Sequence, residues 1–292
     1  MKKLFIIHFL LISFLGFAQK IEKLNLKKYK IAVLSDSLEE SSGLTNINGR
    51  IFSFNDSGNT SEIFEIKPGS PHIKKTFQTE LKNIDWEAMT NDGENFYIGE
   101  FGNNLGSRKD LKVYEIPFKN DSIIVDSIKT IPFFYPEQND FTPRNVNNNF
   151  DAEAMTFLDG NIHIFTKEWI TNTVSHYVID KTFTENQSAQ KLESFETGFV
   201  VTDASYYENK LYVVGYTKKA SVYMMIFEKD NSGNLFFNRP LKKFALGRAF
   251  NIGQIEGITA MEKGIYISGE RFNIKLKKVP QSLYFIPFKD LE

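Results

Sequence analysis

A short polar-small-apolar-polar motif recurs five times along the chain, and a repeat of this period constrains the fold more than any other feature of the sequence. The copies are Ser42-Gly43-Leu44-Thr45, Glu87-Ala88-Met89-Thr90, Glu153-Ala154-Met155-Thr156, Asp203-Ala204-Ser205-Tyr206 and Glu256-Gly257-Ile258-Thr259. Their starts lie 45, 66, 50 and 53 residues apart, close to the roughly 40–50 residues of a four-stranded propeller blade. The long interval contains a Pro- and Asn-rich stretch, 136–149, which reads as a loop inserted before the third repeat.

Each motif is followed by a turn signal: Asn48-Gly49, Asp92-Gly93, Asp159-Gly160, Asn209 or Gly264. Each therefore opens a hairpin. The returning strands, such as Phe96-Tyr97-Ile98 and Leu211-Tyr212-Val213-Val214, are apolar on both faces, which suits a sheet sandwiched between neighbours. Third strands recur at 63–66, 113–116, 176–179, 223–226 and 283–286, and fourth strands at 73–79, 127–134, 191–195 and 241–246. The fifth repeat reaches Glu292 without room for a fourth strand, while a strand-like segment at 29–34 precedes the first motif. The reading is an all-β, five-bladed β-propeller closed by an N-terminal strand, with blades starting near Ser42, Glu87, Glu153, Asp203 and Glu256.

The N-terminus reads Met1-Lys2-Lys3, an apolar stretch over 4–17, and small residues Gly16 and Ala18 before Gln19. This predicts a secretory signal peptide over 1–18, a single mature domain over 19–292, and export to the periplasm or beyond the cell. The apolar stretch is shorter than the roughly 20 residues of a membrane helix and has no counterpart downstream, so no membrane span is expected in the mature chain. Without cysteines, the exported domain must draw its stability from a core, for which 12 Tyr and the chain's 28 Phe, less Phe5, Phe9, Phe14 and Phe17, supply material. Loss of Lys2 and Lys3 lowers the basic count from 35 to 33 against 36 acids, a net charge of −3. No nucleic-acid partner is expected, and Lys275, Lys277 and Lys278 read as a solvated strand face.

The first motif position places Ser42, Glu87, Glu153, Asp203 and Glu256 on the innermost strand of successive blades, around the central channel. Two residues upstream, on the same strand face, Glu40, Asp85 and Asp151 form a second acidic tier. Carboxylates roughly 6 Å apart repel by about 3 kcal/mol per pair at an effective dielectric near 20, so such a ring needs compensation. Two readings compete: a bound hard cation, for which Ca2+ is the favoured candidate, or acids that cap N–H groups of the neighbouring blade. The loops after the second strands vary between blades, and variation on a repeated scaffold marks a ligand face. Candidates there are Asn55, Asp56, Glu100, Asn103, Asn104, Arg108, Lys167 and Glu270. The bound partner is left open between a small molecule, a glycan and a protein.

Catalytic signatures are missing. No Gly-x-Ser-x-Gly, His-Glu-x-x-His or phosphate loop occurs, His163 reads as a core residue, and Trp86 as blade packing. The segments Glu40-Ser41-Ser42-Gly43-Leu44, Asp85-Trp86-Glu87-Ala88-Met89, Tyr97-Ile98-Gly99-Glu100-Phe101-Gly102-Asn103-Asn104, Asp151-Ala152-Glu153-Ala154-Met155 and Glu256-Gly257-Ile258 resemble the SdiA-regulated propeller family. That resemblance implies a five-bladed propeller related to NHL-repeat and phytase-like propellers, with a bound calcium ion. It points to Glu87, Glu153 and Glu256 as ion ligands, with Asp203 as a shorter acid in the same ring. The resulting expectation is an exported calcium-binding propeller without an assigned reaction. The alternatives are a metal-dependent phosphoester or lactone hydrolase and a protein- or glycan-binding module.

Overall fold

The chain is described by a computed structural model over residues 20–231, 233–274 and 277–292. The predicted signal peptide and Lys275 lie outside the described residues. Five sheets are arranged as the blades of a five-bladed propeller. Blade 1 is a four-strand meander through Ser41–Ile47, Arg50–Asn55, Glu62–Ile66 and Ile73–Gln78. Blade 2 runs through Trp86–Asn91, Asn95–Glu100, Lys112–Lys119 and Lys129–Phe134, and blade 3 through Ala152–Leu158, Asn161–Thr166, Val174–Asp180 and Gln190–Phe195. Blade 4 uses Val200–Tyr207, Lys210–Tyr216, Ser221–Glu228 and Pro240–Arg248.

Blade 5 contributes only Gln254–Met261, Gly264–Glu270 and Ser282–Pro287 from its own repeat, and its outer strand is the N-terminal Lys30–Val33, paired antiparallel with Ser282–Pro287. The expected closure is thus present. Gln281 reinforces it by donating its side-chain amide to the carbonyls of Leu34 and Ser35. Two parallel additions carry no repeat signal: Ile21–Lys23 lies on the outer strand of blade 4, and Gln187–Ser188 reaches from blade 3 to the outer strand of blade 2. Lys277 and Lys278 fall on a short strand that pairs with Phe272–Ile274, a hairpin inserted within blade 5.

The turns follow the residues that permit them. Asn48 and Gly49 both have positive φ, 52° and 76°, as do Asp159 and Gly160 at 49° and 82°, the geometry whose twist matches a two-residue hairpin. Among the described residues, the apolar core is divided into five clusters, each bridging adjacent blades. Phe52 and Phe54 of blade 1, for example, meet Trp86 and Phe96 of blade 2, with Phe52 and Phe96 edge-to-face at 4.9 Å. Each large side chain buried in such a seam is worth about 1.5–3 kcal/mol, so the ring is held by inter-blade contacts and the inner strands are fixed in register around the axis. Trp86 is fully buried in this seam, as its packing role requires.

Candidate metal centre

Every inner strand carries a β-bulge near its start, and the bulge decides which side chain faces the channel. The pairing slips between Ser42 and Leu44, Trp86 and Ala88, Ala152 and Ala154, Val201 and Asp203, and Ile255 and Gly257. The unpaired residues are therefore Gly43, Glu87, Glu153, Thr202 and Glu256. A bulge bends the strand and re-aims the extra residue. Three glutamates share one structural position, while Ser42 lies one residue before it and Asp203 one residue after, so these two are not equivalent to the glutamates.

Asp203 turns to the strands beside it. One carboxylate oxygen accepts the N–H groups of Leu44 (3.3 Å) in blade 1 and Ile258 (2.6 Å) in blade 5, and the other that of Ala204 (2.8 Å). It is a staple across three inner strands. Ser42 similarly donates to the Glu87 carbonyl at 3.1 Å.

Among the described residues, Asp56, Asp85 and Glu87 place carboxylate oxygens within 4.8 Å of one another. Asp56 comes from the loop after the second strand of blade 1, Asp85 from the entry to blade 2, and Glu87 from its bulge. Gly102 makes room for them: a Cβ there would stand 2.3 Å from Glu87 Oε1 and 2.5 Å from Asp85 Oδ2. At an effective dielectric near 20, such separations cost about 3 kcal/mol per ionised pair. The cost shows in the titration. Burial, then the charge of Asp56, raises the Asp85 carboxyl to about 6 against the pull of Arg108. Burial and the charges of Asp56, Glu153 and Asp85 hold Glu87 well above the carboxylate range, and burial raises Asp56 as well.

The nearest cation to this trio, Arg108, is committed elsewhere. It lies 3.0 Å from the fully buried Glu100 and 3.0 Å from Asp110, but 3.9 Å from Asp85. Glu100 in turn accepts the N–H groups of Ile84 and Asp85, both at 2.9 Å, and so fixes the loop that carries Asp85.

Across the channel the charges are arranged differently. Lys167, Tyr216 and Glu270 stand at the equivalent position of blades 3, 4 and 5, two residues beyond the partners of the bulges, Phe165, Val214 and Ser268. Lys167 is buried and forms an ion pair with Glu153. Burial opposes its charge, but Glu153, Tyr216, Glu256 and Asp151 together outweigh burial and hold the ammonium firmly protonated. Its ammonium also faces the Trp169 and Tyr216 rings at 4.9 and 5.3 Å. Glu256 accepts from the Gln254 amide at 2.6 Å. Burial raises Glu153, Glu256 and Glu270, with Lys167 pulling each one down. Among the described residues, Glu153 Oε2 is buried and finds no hydrogen-bond donor.

The remaining sequence candidates hold the scaffold. Asp151 accepts Asn103 N–H at 2.7 Å and Trp169 Nε1 at 3.0 Å. The Asn103 amide donates to the Phe150 carbonyl and accepts Arg108 N–H. Asn104 accepts Val146 N–H and the Asn148 amide through its carbonyl, which fastens the inserted 136–149 loop to the site. Asn55 donates to the Ser37 carbonyl. The exposed Glu40 accepts the Asn59 amide at 2.6 Å. His163 is fully buried, 2.7 Å from His176, which reaches Glu193 at 3.0 Å; burial pushes His163 down to about 3. Trp169 is the site residue that the repeat does not reveal; as one of two tryptophans, two residues past Lys167, it is nonetheless readable.

The opposite mouth of the channel contains no carboxylate among its described lining residues. A cavity of about 210 Å3 there is bounded by side chains such as Thr45, Asn46, Asn91, Thr156, Ser205 and Thr259. The channel therefore has an acidic and a neutral end.

No family model matches the chain, and no curated protein matches it. Solved structures that are similar include a Thermus thermophilus protein provisionally described as an oxidoreductase (glucose dehydrogenase), at 10% identity over 88% of this chain and 98% of that chain, TM-score 0.48. Another is a Bacteroides fragilis protein provisionally described as a 6-phosphogluconolactonase, at 11% identity over 84% and 86% of the two chains, TM-score 0.44. A third belongs to a mitotic checkpoint complex, at 10% identity over 83% of this chain, TM-score 0.39; the present chain spans 63% of its length.

Proposed function

We propose that this protein is an exported calcium-binding propeller that holds one ion off the channel axis, at the Asp56–Asp85–Glu87 trio. One observation carries the reading: three carboxylates whose oxygens lie within 4.8 Å of one another beneath a glycine that leaves room for no side chain. The donors are hard oxygens without sulfur or imidazole, the set that Ca2+ prefers over transition metals. An ion there would offset the burial and the mutual repulsion that together raise Asp85 and Glu87. Export rests on the leader-like residues 1–18, and the resemblance to the SdiA-regulated propellers agrees with the calcium part of the proposal.

Of the ring glutamates, Glu87 is placed as a direct ligand, and Glu153 and Glu256 belong to the half that Lys167 neutralises. Calorimetric titration of the full mature chain with Ca2+ tests this. One ion per chain is expected, with a Kd of about 10⁻⁴–10⁻³ M or tighter, as for extracellular calcium modules. No heat of binding at millimolar Ca2+, or wild-type affinity in both Asp56→Asn and Glu87→Gln, overturns the proposal. Mass spectrometry of the secreted protein checks the other part, with Gln19 expected at the mature N-terminus.

A further inference from the structure

Beside the lysine half of the acidic mouth lies a second, chemically different cavity of about 420 Å3 between blades 3, 4 and 5. Its walls include Trp169, Tyr216, Phe272 and Val146, with Gln254 and Thr217 supplying an amide and a hydroxyl. That volume falls within the range of small-molecule sites, which combine apolar walls with a few placed polar groups. Three aromatic side chains from three separate chain segments converge there.

The walls are held by the acidic mouth itself. The Trp169 indole donates to Asp151 at 3.0 Å, Tyr216 lies over the Lys167 ammonium at 5.3 Å, and Gln254 donates to Glu256 at 2.6 Å. Phe272 is steadied from outside by Phe250, with ring centroids 5.7 Å apart. Pinned aromatic side chains give a pocket formed before its ligand arrives, which lowers the ordering cost of binding.

We propose that this pocket binds a neutral carbohydrate. The charges around it select against other ligands of the same size. An organic cation stacked on Trp169 and Tyr216 would share those rings with Lys167, whose ammonium already faces both. An organic anion would find on the wall only the exposed Lys218, whose charge solvent screens, and would face the Glu256 carboxylate behind the Gln254 amide. A sugar carries no charge, presents C–H faces to aromatic rings, and offers hydroxyls to the Gln254 amide and Thr217. The assignment goes beyond the calcium proposal and does not depend on it, because no wall residue belongs to the Asp56–Asp85–Glu87 trio.

Intrinsic fluorescence provides the test. The chain has two tryptophans, and Trp86 is fully buried against Phe54, so a ligand-induced change reports on Trp169. The mature chain is titrated with glucose, galactose, maltose, cellobiose and chitobiose, with glucosamine and glucuronate as charged controls. A saturable change with at least one neutral sugar is expected, about tenfold weaker in Tyr216→Ala and in Phe272→Ala and retained in Tyr216→Phe. Calcium affinity should stay at the wild-type value in Phe272→Ala, outside the acidic mouth, which separates failure of this pocket from failure of the ion site. If Tyr216→Ala does not fold, Phe272→Ala at the rim carries the comparison. Absence of a saturable change with every neutral sugar, tighter binding of a charged control, or unchanged affinity in the alanine variants overturns the assignment.

Discussion

The two halves of the acidic mouth face the same electrostatic problem and meet it differently. On the blade 3–5 side, Glu153, Glu256 and Glu270 surround Lys167, a cation built into the chain and covered by Trp169 and Tyr216. On the blade 1–2 side, Asp56, Asp85 and Glu87 crowd together, and the closest cation, Arg108, is tied to Glu100 and Asp110. The blade position that supplies Lys167 in blade 3 supplies Asn55 in blade 1 and Phe101 in blade 2. One half thus contains its counter-charge, and the other receives only the pull of Lys167 on Asp56 and of Arg108 on Asp85; on the calcium proposal, the rest comes from solution.

Removing the built-in cation tests the contrast most severely. Lys167→Met leaves buried carboxylates without their partner, a change that typically costs about 3–5 kcal/mol. Denaturant unfolding in chelator should show a loss of that size, and Ca2+ should restore much of it by occupying a second site. Calorimetry would then find two ions per chain. A variant that loses stability yet still binds one ion, or binds none, breaks the equivalence between lysine and metal.

The next effect in size concerns the trio itself. Glu87→Gln should weaken Ca2+ by about 100-fold, or 2.7 kcal/mol, whereas Glu256→Gln, on the lysine side, should change affinity by less than about tenfold. Equal losses would mean that both halves coordinate one ion and that the division drawn between them is wrong. Gly102→Ala is smaller in volume but acts at the same place. Its Cβ would overlap the oxygen positions of Glu87 and Asp85, so affinity should fall about tenfold with an overpacking cost of about 1–3 kcal/mol, read by the same titration and by thermal melting.

The repeat made the blades legible because strand periodicity and turn residues are local properties: the Asn48-Gly49 and Asp159-Gly160 turns and the N-terminal closing strand stand where their residues place them. The ring of acids was legible only in part. Matching by acid identity aligned Asp203 with the glutamates, yet Thr202 stands as far before its turn pair Tyr207–Lys210 as Glu153 and Glu256 stand before Leu158–Asn161 and Met261–Gly264. Counting back from the turn would have found the bulge. The union of Asp56 with Asp85 could not be read locally, because it joins the exit of one blade to the entry of the next. Nor could the Trp169–Tyr216–Phe272 pocket, which depends on three blades closing around an axis.

Proton competition separates the halves by the smallest and most graded effect. Asp85 titrates near 6 without metal because burial and Asp56 outweigh Arg108, and burial and its charged neighbours hold Glu87 well above the usual carboxylate range. Groups with folded-state values above their unfolded values contribute stability at low pH that is lost as pH rises through the folded value. The metal-free protein should therefore lose this stability as pH rises from about 4 through 6 and beyond. On the calcium proposal Ca2+ would replace those protons, so the gap in Tm with and without Ca2+ should open between about pH 5 and pH 8 and the apparent affinity should fall below pH 6. Carboxyl NMR makes the contrast residue by residue. Ca2+ should move the Asp85 titration down, while Glu270, raised first by burial, then by Glu256 and by Asp56, and pulled down by Lys167, should shift less. A Glu270 shift as large as that of Asp85 would show that one ion serves the whole mouth.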